Sequence, residues 1–222
     1  MEEDIHHYDG EDVDVTFDSN RCIHVRECVE GLPAVFDTSK RPWVDPNEAS
    51  PDAVADVVER CPTGALHYER ADGTPEPVPD RNTVTATAQG PVYVRGDATV
   101  TDEEGETLLE DTRLALCRCG HSMNKPLCDN SHARVFDAVG VEWRPDDVSA
   151  DDDAATAAAG TQADELTITA TEDGPFRLDG PFDLVSGSGR ESRTEAWLCR
   201  CGGSANKPFC DGTHAEIGFD SE

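Results

Sequence analysis

Val13, Val15 and Phe17 alternate with Asp14 and Thr16, the two-residue period of a strand with one buried face. Val54, Val57, Val58 and Cys61 instead recur at three- and four-residue steps, which lines one face of a helix. Ser50 as N-cap, Pro51 at the first helical position and Asp52 in the first turn mark its start, and Pro62 its end. Residues 64–68 return as a strand, and residues 32–36 read as a short helix or strand. Beyond residue 82 the pattern turns to strands: 83–87, the stretch after Gly90 and Pro91, and 114–116, with Gly105 in a turn. The same series follows again as 166–170, the stretch after Gly174 and Pro175, and 196–198.

Three segments lack any period. Residues 1–12 are acidic and read as a frayed tail in which His6 and His7 are incidental. Residues 71–81 are proline-rich and polar, a linker. Residues 145–164 are a low-complexity Asp/Ala run, a flexible acidic linker. The chain therefore divides into a small mixed unit over 13–70 and two β-rich repeats over 82–144 and 165–222.

Each repeat ends in a cluster of sulfur and nitrogen donors. Cys117, Cys119, Ser122, Asn124, Lys125, Pro126, Cys128, Asp129 and His132 recur 82 residues later as Cys199, Cys201, Ser204, Asn206, Lys207, Pro208, Cys210, Asp211 and His214. The Gly-Pro pairs lie 84 apart, so a two-residue length difference falls in a turn between strand and site. Two cysteines two apart on an extended segment face the same way. Cys128 and His132, four apart, share a face on one helical turn, and Asp129 fits the first turn of a helix whose positive end faces the site. Three thiolates and one imidazole suit tetrahedral zinc or a [2Fe-2S] cluster.

Composition narrows the setting. Hydrophobic residues make up 36% and aromatics 6%, a thin core that calls for metal or disulfide staples. Nine cysteines is an odd number, grouped in threes, which suits metal ligation in a reducing cytoplasm. The net charge of -29 comes from 47 acidic residues against 18 basic ones, of which only Lys40, Lys125 and Lys207 are lysine. Such a surface suits a salt-rich cytoplasm, where screening shrinks to about 3 Å near 1 M salt, and it argues against nucleic-acid partners. No apolar run reaches the roughly 18–20 residues that span a bilayer, and the acidic N-terminus is unlike a signal peptide.

The Cys-x-Cys-x2-Ser-x3-Pro-x-Cys-Asp pattern closed by His resembles the CDGSH iron–sulfur family. The second copy carries Thr213 where that family has Ser, and the first carries Asn130 where it has Gly. Asn tolerates left-handed backbone angles, so this departure leaves the site intact. The resemblance implies one [2Fe-2S] cluster on Cys117, Cys119, Cys128 and His132 and another on Cys199, Cys201, Cys210 and His214. Lys125 and Lys207, at equivalent places, would be cations tuning the cluster charge or merely inherited copies. Single-motif members of the family pair as homodimers, so two motifs in one chain imply an intramolecular pseudo-dimer and a monomer.

Residues 13–69 carry a second resemblance. Cys22, His24 and Cys28, followed at a distance by Cys61, Pro62, Gly64, Ala65 and Leu66, resemble a divergent single-cluster ferredoxin. Val25, midway between the first two thiols, cannot ligate. The resemblance implies Cys22, Cys28 and Cys61 as ligands of a [3Fe-4S] cluster, or of a [4Fe-4S] cluster completed by His24 or solvent. The expectation is an α+β protein, a small ferredoxin-like domain followed by two CDGSH-type repeats. It would be a redox carrier without catalytic activity, meeting a ferredoxin reductase; the alternatives are delivery of [2Fe-2S] clusters to apo-proteins and structural zinc.

Overall fold

In the computed structural model the alternating residues after position 12 become strand β2 (Val13–Asp18), antiparallel to β3 (Leu66–Arg70). The structure describes residues 4–142 and 164–221. Sheets dominate and helices are few and short. The chain forms two compact units, Met1–Pro77 and Val78–Glu222, and their boundary falls inside the proline-rich 71–81 segment. The acidic run over 145–164 lies, apart from its last residue, outside the described residues.

The first unit holds one departure from expectation at its start. Residues 5–8, expected within a frayed tail, form β1 (Ile5–Tyr8), which pairs antiparallel with β2 and completes a β1-β2-β3 sheet. Side chains explain why charge does not keep this segment loose. His6 stacks on Phe17 at 6.2 Å, and Tyr8 stands edge-on to Trp43 at 6.1 Å. Against the sheet lies α2 (Pro51–Val58), with α1 (Glu27–Gly31) packed on α2, and Val15, Phe36, Val54, Val58 and Leu66 form the core. Residues 32–36 are neither helix nor strand but a turn, in which the amides of Val35 and Phe36 donate to Leu32 O and Phe36 bridges to Val44.

Helix α2 starts as its sequence dictates, with the Ser50 hydroxyl accepting the Ala53 amide at 3.3 Å and Pro51 following. It ends at Val58, short of Cys61, which sits on the turn after it with its amide donating to Val58 O at 2.9 Å. Ser50→Ala should cost about 1 kcal/mol in the opening free energy of the α2 amides, read by hydrogen exchange.

The second unit is a six-stranded arrangement in which the repeats interlock. The first contributes β4 (Thr83–Ala86), β5 (Val92–Thr101) and β6 (Thr107–Leu116); the second contributes β7 (Leu166–Ala170), β8 (Phe176–Ser186) and β9 (Gly189–Leu198). Each repeat is an antiparallel meander, and each lends its short strand to the other. β4 runs parallel to β8 and β7 runs parallel to β5. The long strands permit this because each has a register shift, between Arg95 and Ala98 in β5 and between Asp179 and Phe182 in β8. Along one edge, half of each long strand pairs with the short strand of its own repeat and the other half with that of the partner repeat, while the opposite edge pairs throughout with β6 or β9.

Gly96 sits at the first bend, where a Cβ would meet Asn82 Oδ1 at 2.1 Å. Buried Asn82 accepts the Asp97 amide and donates to the carbonyls of Asp164 and Pro181, tying both bends together. The strands thus run beyond the segments their hydrophobic pattern marks, because each glycine bend interrupts the alternation without ending the strand. Val84, Val94, Leu116, Ile168, Phe176 and Leu198, from both repeats, belong to a single core.

Candidate iron–sulfur centres

The two ligand loops follow β6 and β9, and each is folded by bonds within itself and to the end of the strand before it. The Cys117 amide donates to Pro126 O and the Cys128 amide to Ala115 O, so the loop closes on the end of its strand. Cys199 with Pro208 and Cys210 with Trp197 do the same. Ser122 donates its hydroxyl to Leu127 O at 2.6 Å while accepting the Asn124 amide; Ser204 repeats this with Phe209 and Asn206. Asp129 accepts the Met123 amide with one oxygen and the Ser131 amide with the other. Asp211 does so with Ala205 and Thr213, and the Thr213 hydroxyl first, then these amides, hold its carboxyl down at about 2. The polar residues shared by the two copies are therefore those that shape the loop.

These loops bring the donors together in pairs. Cys117 Sγ stands 3.7 Å from Cys119 Sγ, and Cys128 Sγ 3.2 Å from His132 Nδ1. In the second repeat Cys199 and Cys201 are 3.8 Å apart, and Cys210 lies 3.3 Å from His214 Nδ1. The Cys–His pair is not on one helical face as expected. Helices α3 (His132–Val135) and α4 (Thr213–Ile217) begin only at or just before the histidine, so the turn after the cysteine brings the imidazole back. Asp129 accordingly lies before the helix, and helices of four and five residues supply little dipole. At that turn Asn130 takes φ 73° and Gly212 φ 90°, the left-handed angle both residues accept.

The donor chemistry fits an iron–sulfur group. Two thiolates on one tetrahedral metal at about 2.3 Å stand about 3.8 Å apart, the separation within both Cys–Cys pairs. Amides of His121, Gly203, Asn130 and Gly212 point at Cys119, Cys201, Cys128 and Cys210, respectively, at 3.4–3.5 Å. Burial pushes the Cys128 thiol up to about 12. Its hydrogen bond from Cys119 holds Cys117 below an ordinary thiol, and the same bond holds Cys119 above one. Burial lowers His132 from the ordinary imidazole value, leaving a neutral ring with a free lone pair. Thiols held protonated by burial become good ligands once a metal displaces the proton.

The third site lies in the first unit. Cys22, His24, Cys28 and Cys61 line a cleft of about 350 Å³, open solvent at its mouth included, together with Phe17 and Thr63. The 22–28 loop curls through left-handed backbone at His24 (φ 60°) and Arg26 (φ 77°). His24 Nδ1 reaches 3.8 Å from Cys22 Sγ, and Val25 lines the cleft without offering a donor. Burial, and then the proximity of Cys61, pushes Cys28 up to about 12; burial also raises Cys22. Arg21, buried beside Cys22, donates to Thr63 O at 2.8 Å and so ties the loop to the Cys61 segment.

Lys207 does not point into its own site as a free cation. Its amine donates to Ser204 O at 2.5 Å and lies 5.9 Å from the Phe136 ring of the other repeat. The buried Arg21, Arg118 and Arg200 escaped the reading of the sequence. The signal for two of them is present there, since arginine fills the middle of Cys-x-Cys in both copies.

Residues 8–71 match the family described as divergent 4Fe-4S mono-cluster. Residues 89–133 and 173–215 each match the family described as iron-binding zinc finger, CDGSH type. Over 61 residues the chain is 39% identical to the uncharacterized protein YjdI of Escherichia coli, in both strain K12 and strain O157:H7, covering 28% of this chain and 80% of YjdI.

Proposed function

Because this chain belongs to the divergent 4Fe-4S mono-cluster family through its first unit and carries two CDGSH-type iron-binding repeats, we propose that it is a three-centre electron carrier. Cys117, Cys119, Cys128 and His132 hold one [2Fe-2S] cluster, and Cys199, Cys201, Cys210 and His214 a second. Cys22, Cys28 and Cys61 hold a [3Fe-4S] cluster, or a [4Fe-4S] cluster completed by His24 or solvent. When bound, such clusters supply one-electron transfer.

The observation that carries the binuclear reading is the arrangement of donors. Each CDGSH-type site offers a Cys–Cys pair and a Cys–His pair, which suits one pair on each of two metals. The reciprocal β4–β8 and β5–β7 pairings support an intramolecular pseudo-dimer, in which the chain supplies both halves of a shared β fold.

A second reading, delivery of [2Fe-2S] clusters to apo-proteins, draws on exposure. In the first repeat His132 is half-buried while Cys117, Cys119 and Cys128 are buried, so the imidazole is the ligand an acceptor reaches first; in the second, His214 shares that exposure with Cys201 and Cys210. Partners in either role would be a reductase or an apo iron–sulfur protein meeting the acidic surface through basic patches.

Visible absorption, EPR and counts of iron, sulfide and zinc on the full chain test the assignment. Coloured protein with sulfide is expected, with [2Fe-2S] EPR on reduction and the signal of the third centre when oxidised if it is [3Fe-4S] or when reduced if it is [4Fe-4S]; a colourless protein with stoichiometric zinc overturns it. With a ferredoxin reductase and its reductant, the holo-protein should be reduced and reoxidised without cluster loss, and mixed with an apo-ferredoxin it should keep its clusters. Transfer to the acceptor that disappears in His132→Cys and His214→Cys would favour delivery.

A further inference from the structure

Arg118 fills the middle of the first Cys-x-Cys, where an outward-facing side chain would be the simple outcome. Instead it is 1% exposed. Its Nε donates to Gly90 O at 2.9 Å and its Nη2 to the carbonyls of Thr87 and Val139, while Nη1 has no hydrogen-bond partner among the described residues. The guanidinium also lies 5.1 Å from the Phe136 ring.

Arg200 repeats the arrangement at 4% exposure. Its Nη1 donates to Thr171 O at 3.0 Å, Phe176 and Phe219 lie 5.3 and 5.8 Å away, and its Nε has no partner among the described residues. The chain has 47 acidic residues, yet neither guanidinium makes an ion pair among the described residues; Arg200 only feels the field of Asp173. A guanidinium stays charged at neutral pH even when buried. Two buried cations held by carbonyls alone are costly unless a nearby anion offsets them.

The backbone shows where that anion belongs. At Gly120 a Cβ would lie 2.6 Å from Cys201 O, and at Gly202 it would lie 2.6 Å from Cys119 O. The two Cys-x-Cys turns are therefore pressed against each other, which brings the residue in the middle of each close to the ligand turn of the other. The field of Arg118 reaches Cys199 of the other repeat as well as His132 of its own, and that of Arg200 reaches Cys117.

We propose that Arg118 and Arg200 are exchanged counter-cations, each offsetting the negative charge of the iron–sulfur group held by the opposite repeat. This rests on the assignment of [2Fe-2S] groups to the two sites. Three thiolates on such a core leave net negative charge, which grows on reduction, so a fixed cation favours the reduced form. The arginines are positioning residues rather than ligands, and they make each centre depend on the repeat it does not belong to.

The experiment uses the full chain with His214→Cys as a spectroscopic label, because a cluster with four thiolate ligands differs in absorption and EPR from its 3Cys-1His neighbour. Iron and sulfide counts come first; their absence would overturn the cluster assignment and this proposal with it, whereas clusters present with unmoved potentials would overturn this proposal alone. With clusters present, each centre is titrated with dithionite as reductant. Arg118→Gln should make reduction of the Cys199, Cys201 and Cys210 centre about tenfold less favourable, a potential lowered by about 59 mV for one electron. The first-repeat centre should move less, and Arg118→Lys should restore the value. Loss of the second-repeat cluster alone in Arg118→Gln, with retention in Arg118→Lys, supports the same assignment. No shift, or a shift or loss confined to the first repeat, overturns it. Should Arg118→Gln fail to fold, Arg200→Gln with His132→Cys as label performs the mirrored test with the same outcomes.

Discussion

Cys210→Ser should remove one of the two [2Fe-2S] groups and leave the other. Cys210 is half of a donor pair, 3.3 Å from His214, and a serine hydroxyl in its place offers no thiolate at neutral pH. The Cys117, Cys119, Cys128 and His132 site keeps every ligand and every loop bond of its own. The measurement is iron and acid-labile sulfide per chain, with the visible spectrum. One [2Fe-2S] complement should disappear, and the EPR of the three- or four-iron centre should persist. Cys128→Ser should give the mirror result. Loss of every cluster from either variant would contradict the independence of the sites, and loss of none would contradict the ligand assignment. The fold should survive both changes, because the core of the second unit is shared between repeats and contains neither Cys128 nor Cys210. Some stability should still go with the cluster, since a ligand bound only to the folded state stabilises it.

Gly120→Ala should be among the more damaging single changes in the second unit. The residue has φ 81°, and an added Cβ would approach Cys201 O to 2.6 Å, with the carbonyl carbon and Cα at 3.0 and 3.2 Å. All three are backbone atoms, so relief requires the two ligand turns to part. Gly105 supplies the control, because it has φ 86° and open space around its would-be Cβ. Gly105→Ala should cost about 1–2 kcal/mol from the left-handed angle alone. Gly120→Ala should cost clearly more, on the order of 3 kcal/mol in total once steric strain is added. Urea unfolding of the full chain checks the difference, and Gly202→Ala, facing Cys119 O at 2.6 Å, should match Gly120→Ala. Equal costs at positions 105 and 120 would mean that the contact between the turns carries no weight.

Features governed by short stretches of chain were legible without coordinates. The Ser50 cap, the start of α2 and the left-handed turn at Asn130 depend on side chains within a few residues. The ligand loops belong to the same class, since Ser122, Asp129 and Pro126 act on partners within eleven residues. Their spacing also marked which donors meet, although the helical turn drawn between Cys128 and His132 was the wrong local geometry. The backbone begins its helix only at the histidine.

Other features depended on distant chain. Strand β1 forms from an acidic segment because the edge of β2 and the rings of Phe17 and Trp43 are there to receive it. The hydrophobic pattern of β5 breaks at Gly96 and Asp97, and only Asn82, holding groups from both repeats, explains why the strand continues.

By itself, then, the sequence determined three sets of sulfur and nitrogen donors, their division between two kinds of unit, and the repeat that relates two of them. These follow from residue identity and from spacings short enough for local backbone geometry to govern. Only the tertiary structure decided that the short strands are traded between repeats and that Gly120 lies on Cys201 and Gly202 on Cys119. It also decided that Arg118 and Arg200 are buried without carboxylates. Such contacts join residues far apart in the chain, Ala98 with Leu166 and Thr83 with Asp183 for example, and their formation depends on both repeats packing around one core.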